Sequence, residues 1–156
     1  MNDCERRLSA AQLRLRVKHP FFASLALFAK VQITESVDTA ATNGRDIFFN
    51  PAFLERLSPT EVDGVLLHEV LHAALLHVIR RGTREPQRWN YAADIVVNSM
   101  VIEQGLDLPP GAVQQAKWAD RSVEEVYELL QKYRKKIPAT LMVDLLGGLA
   151  AGNEEP

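Results

Sequence analysis

The chain has 156 residues, 47% of them hydrophobic and 24% charged, a balance that excludes a disordered polypeptide and allows one domain with a genuine core. A net charge of −2 and a pI near 6.1 exclude binding driven by phosphate neutralisation, so no nucleic-acid partner is expected. No apolar run approaches membrane-spanning length, the opening MNDCERRLSA lacks the apolar core of a signal peptide, and the single cysteine, Cys4, cannot form an internal disulfide. The expectation is a cytoplasmic protein with no membrane partner.

In chain order, leucines spaced among charges in ERRLSAAQLRLRVK predict an amphipathic helix over residues 5–18. HPFFASLALFAKVQIT continues as a short helix from Pro20 or as an extended segment by about Val31. Asn43-Gly44 is a strong turn signal, and the β-formers of Arg45–Asn50 predict a small hairpin or meander. In LSPTEVDG, Ser58, Pro59 and Glu61 form a capping box with a proline favoured at the first helical position. The helix they open is expected to run to about Arg81, with Gly82 as its stop. After the link TREP, a second long helix is expected over roughly residues 87–104, ending at Gly105. LDLPPGAVQQAKWAD reads as a loop, and Ser122 with Glu125 is a further capping box opening VEEVYELLQKYRKK. Pro138 ends that region. The expected architecture is α+β, mostly helical with a small sheet or hairpin ahead of the central helix. It divides into one domain over 1–137 and a loose, Gly- and Ala-rich tail over 138–156.

The central helix poses a chemical question. GVLLHEVLHAALLHVIRRG is apolar on nearly every side, yet it carries His68, Glu69, His72 and His77. Ionisable groups in a buried helix need partners. Residues four apart on a helix are offset by only about 40°, so His68 and His72 converge on one side. This is H-E-x-x-H: two neutral imidazoles that bind Zn2+, with the intervening carboxylate acting on metal-activated water. The competing interpretation makes both histidines core residues satisfied by backbone carbonyls. On an unbroken helix His77 lies about 180° from His68 and cannot share its metal; it reads as a polar residue favouring the C-terminal dipole. His19, just before a proline, reads as a surface or turn residue.

Zinc in a catalytic site usually takes three protein ligands. Between Glu69 and Glu103 the acidic residues are Glu85 and Asp94. Glu85 lies in a charged link and reads as solvated. Asp94 belongs to WNYAADIVVNSMV, where Asn90, Asp94 and Asn98 recur at spacing four and draw a polar stripe across an apolar helix. That stripe either faces solvent or faces the metal, with Asp94 as third ligand and the asparagines orienting the ligands.

LLHEVLHAALLH, followed by WNYAADIVVN and preceded by TAATNGRDIFFNP, resembles the metallopeptidase domain of predicted metal-dependent peptidases, which commonly precedes a von Willebrand A-type domain. The resemblance covers roughly residues 20–130. It implies a zincin-like fold, with an active-site helix, a small sheet whose edge strand lies above it, and a following helix that donates a ligand. His68 and His72 match the zinc-binding histidines, Glu69 the catalytic glutamate, and Asp94 the third ligand. The 156 residues leave no room for the von Willebrand-type domain.

The expected function is therefore a zinc metallopeptidase acting on a peptide or protein substrate, with Glu69 as general base. The strand around Arg45–Asn50 is a candidate for receiving extended peptide, and Tyr91 for donating to the oxyanion or for packing in the core. The main alternative is a non-catalytic metal-binding module that recruits a protein partner in a larger assembly; a metal-free helical scaffold is the third. Iron, cobalt or nickel would fit the same ligands as zinc.

Overall fold

A computed structural model describes residues 1–132 and Leu145. The expected loose tail over 138–156 and the stop at Pro138 lie outside the described residues, Leu145 apart.

Helix α1 (Asp3–Lys18) starts at a capping box, with Asn2 accepting from the Glu5 backbone at 2.8 Å and Glu5 accepting from the Asn2 backbone at 2.9 Å. Its inward stripe is Cys4, Leu8, Ala11 and Leu15, spaced by four, three and four. A short helix, α2 (Pro20–Leu25), follows, and His19 occupies the turn between them, its Nδ1 3.3 Å from Gln104 Oε1. Three short strands come next: β1 (Val31–Ile33), β2 (Ala40–Thr42) and β3 (Ile47–Phe49). The expected hairpin is β2–β3. Asn43 Oδ1 accepts from the backbone of Arg45 and Asp46, and Gly44 takes φ +99°, a conformation that side chains disfavour.

The sheet order is β1-β3-β2, with β1 parallel and β2 antiparallel to β3. This corrects one expectation. The strand within Arg45–Asn50 is central and bonded on both sides, so its backbone has no free ladder to offer an extended peptide. Phe49 is fully buried. The outer side of β2 makes a parallel bridge from Thr42 to Leu145.

After α3 (Pro51–Arg56), the central helix α4 (Pro59–Ala74) opens at the expected capping box: Ser58 Oγ accepts from the Glu61 backbone and Glu61 accepts from the Ser58 backbone. Every residue from Val62 to His72 is buried, so this helix is the axis of the fold. Asp63 lies on it with 5% exposure, and Arg14 of α1 clamps its carboxylate with contacts of 2.9–3.1 Å. Removing one partner of a buried pair costs about 3–5 kcal/mol; because the Arg14 side chain is a third exposed, Arg14→Met is expected to cost about 2 kcal/mol. Urea unfolding measures this, and an unchanged midpoint would show that the clamp carries no weight.

Helix α4 does not run to Arg81. It ends at Ala74, Leu76 takes φ +60°, and a separate turn, α5 (His77–Arg80), resumes in a new direction. The exchange has a visible return. Arg80 Nη1 donates to the Leu75 carbonyl at 2.8 Å, Trp89 Nε1 donates to the His77 carbonyl at 2.7 Å, and His77 and Val78 become buried. His77 is thus a core residue with no exposure, not a group at an exposed helix end.

Helix α6 (Pro86–Glu103) is capped by Glu85, whose carboxylate accepts from the backbone of Gln87 and Arg88. Glu85 is an N-cap and not a merely solvated link residue. A single 3₁₀ turn (Ala116–Trp118) interrupts the expected loop, and α7 (Val123–Lys132) starts at the Ser122–Glu125 box. Arg80 joins α5 to α7 through Glu124, whose carboxyl it holds below the ordinary range. Two core clusters result, one around α1, α4 and the sheet, the other around Trp89, Trp118 and Tyr127. No helix among the described residues is long and apolar enough to cross a membrane.

Candidate metal centre

Helices α4 and α6 run antiparallel through the middle of the protein. As the contacts step forward along α4 from His68 to His72, their partners step back along α6 from Asn98 to Asp94. The polar stripe of α6 therefore faces the histidines and not solvent; Asn90, Asp94 and Asn98 are 1%, 6% and 2% exposed.

His72 Nε2 lies 3.0 Å from His68 Nε2 and 3.0 Å from Asp94 Oδ1, and His68 Nε2 lies 3.4 Å from Asp94 Oδ1. A tetrahedral zinc with bonds of about 2.0–2.1 Å separates its donor atoms by about 3.3 Å, so the triangle has the dimensions of such a cage. The donor set fits as well. Two ring nitrogens and a carboxylate oxygen, all electron-pair donors, meet in a desolvated space where only a cation or shared protons relieve their mutual repulsion.

The partners behind the cluster select the right tautomer. Asn98 Nδ2 donates to the Val113 carbonyl at 2.9 Å, which identifies its Oδ1 as the acceptor facing His68 Nδ1 at 2.6 Å. His68 thus carries its proton on Nδ1 and leaves Nε2 open to a cation. Asn90 Nδ2 donates to Asp94 Oδ2 at 3.3 Å while its Oδ1 accepts from the Leu145 backbone at 3.1 Å, steering Oδ1 of Asp94 into the cluster.

Glu69 follows His68 on α4, with Oε2 3.9 Å from His68 Nε2 and 1% residue exposure. What solvent access the cluster has comes through the side chains of His68 and Asp94, 11% and 8% exposed, against none for His72. Tyr91 is half-buried and packs against the second core cluster.

All four residues singled out from the sequence are brought together. His77 is the one that periodicity missed: its Nδ1 lies 2.9 Å from His72 Nδ1. An unbroken helix would have carried it away, and LLHVIRRG contains no glycine or proline to signal the break before Gly82.

Two imidazoles and a carboxylate around one point, with a second carboxylate alongside, are the donor set of a metal-dependent hydrolase. Residues 3–154 match the family described as "Putative metallopeptidase domain", and the chain belongs to that family. No curated protein and no solved structure gives a significant match.

Proposed function

We propose that this chain is a zinc metallopeptidase of zincin-like fold, comprising a single catalytic domain, in which His68, His72 and Asp94 hold the metal and Glu69 is the general base. One observation carries the reading: the three donor atoms on α4 and α6 lie 3.0–3.4 Å apart in a buried space. Family membership supports it independently. Among divalent metals, imidazole with carboxylate suits zinc well.

When bound, zinc would supply a Lewis acid that makes water nucleophilic near neutral pH and polarises a carbonyl. The chain's own residues do the rest. Asn98 holds the His68 ring by its Nδ1 proton, and Asn90 holds the distal oxygen of Asp94, so that neither ligand has to be ordered when the metal arrives. The Glu69 carboxylate, beside the cluster and screened from bulk solvent, takes the proton of the attacking water and delivers it to the leaving amine. The substrate is a peptide or protein chain.

Cleavage of an unstructured protein substrate, followed with and without a zinc chelator, tests the proposal. Chelation is expected to abolish cleavage and added zinc to restore it. A fully metal-loaded protein that cleaves neither this substrate nor a broad peptide library would instead identify a non-catalytic module.

A further inference from the structure

His68 and Asp94 each have an asparagine holding the atom that faces away from the cluster. The corresponding atom of His72 is Nδ1, and what stands against it is His77. We infer that His77 is a positioning residue of the metal centre: its Nδ1 accepts the Nδ1 proton of His72 and so turns the His72 Nε2 lone pair toward the cation. The inference rests on the proposed metal site and deepens it.

The hydrogen-bond logic leaves little freedom. The two Nδ1 atoms are 2.9 Å apart, the rings meet at 70° with centroids 5.2 Å apart, and both residues are fully buried. Two bare ring nitrogens at that distance would oppose lone pairs, so one of them carries a proton. His72 Nε2 points at His68 Nε2 and Asp94 Oδ1, and it can bind a cation only when unprotonated. A neutral His72 must then be protonated on Nδ1, with His77 as acceptor and the proton of His77 on its own Nε2.

The backbone is shaped to make this contact. On a continuous helix, His77 would be turned about 140° from His72. Instead Leu76 adopts φ +60°, and it is the non-glycine residue with positive φ among the described residues. Leucine is a poor choice for that conformation, and its side chain is half exposed, so burial of Leu76 does not explain the strain. What the kink delivers is the His77 ring. Trp89 fixes it from beyond, donating Nε1 to the His77 carbonyl at 2.7 Å and meeting the imidazole edge-on at 87°.

The test is zinc affinity, measured by competition with a chelating dye, together with the absorption spectrum of the cobalt-substituted protein. The proteins compared are wild type, His77→Leu, His77→Asn and His77→Gln. Loss of such a partner typically weakens metal binding about 10–100-fold, which is the expectation for His77→Leu. Asparagine places an acceptor where His77 Nδ1 stood, so His77→Asn is expected to regain most of the affinity and the wild-type cobalt bands. Glutamine places its amide a bond further out, and His77→Gln is expected to stay weak. This pair of polar variants keeps the comparison decisive even where His77→Leu folds poorly. Wild-type affinity and cobalt bands in both His77→Leu and His77→Gln would overturn the inference and leave the metal site standing. A wild type that binds no stoichiometric zinc would overturn the site itself and His77's role with it.

Discussion

Replacing Glu69 by glutamine is expected to reduce peptide hydrolysis about 10²–10⁴-fold, the usual worth of a positioned general base, while zinc stays bound. Two observations separate the effects. Glu69 is not part of the triangle of donors, so the metal has no reason to leave; its Oε2 lies 3.9 Å from His68 Nε2, so a proton acceptor disappears beside the reacting centre. Glutamine has nearly the same shape and carries no charge into a site only 1% exposed, so folding should not suffer. Kinetics paired with metal analysis on one preparation give the answer. Activity within a few-fold of wild type would remove Glu69 from the mechanism, and loss of zinc would make it a ligand.

Gly64→Ala is expected to destabilise the protein by about 3 kcal/mol or more, the upper part of the range for overpacking a tight core. In an unconstrained helix the sign would be opposite, since alanine is favoured over glycine there by about 1 kcal/mol. Here a Cβ on Gly64 would sit 1.8 Å from the Asp107 carbonyl oxygen and 3.0 Å from its carbon. The obstacle is backbone, which cannot swing aside as a side-chain tip would, and Asp107 is further tied to α4 by Thr60 Oγ1 at 2.8 Å. Gly64 lies one turn before His68, so forcing the segment away would also disturb the His68, His72 and Asp94 cluster. Denaturant unfolding decides between the two signs; a midpoint equal to or above that of wild type would mean the close approach does not hold in solution.

What the residues disclosed on their own follows from where the determining interactions lie. Capping boxes at Ser58 and Ser122 are local, and the helices begin where those residues place them. The H-E-x-x-H spacing and the Asn90, Asp94, Asn98 stripe depend only on helical periodicity, so His68 and His72 are legible as convergent and Asp94 as a candidate partner, while the side the stripe faces is decided by how α6 packs on α4. Two features escaped because their causes are not local. The break at Leu76 is held by Trp89 and Arg80, and no helix-breaking residue announces it. The central place of β3 depends on the parallel strand β1, which lies beyond the hairpin that Asn43-Gly44 signals. Glu85 escaped although its cause is local: its carboxylate caps the backbone of Gln87 and Arg88, a role that serine, threonine, aspartate and asparagine fill more often than glutamate. The first of these had the largest consequence, since an unbroken helix sends His77 away from the cluster that it in fact touches.

The proposed metal site requires one cation gripped jointly by α4 and α6. Metal analysis of purified protein, wild type beside Asp94→Ala, tests it most directly, because Asp94 is the proposed ligand from outside the H-E-x-x-H motif. Close to one zinc per chain is expected in the wild type, and a large loss in Asp94→Ala with the fold retained. Metal-free wild type after purification in the presence of zinc, or full zinc in Asp94→Ala, would contradict it.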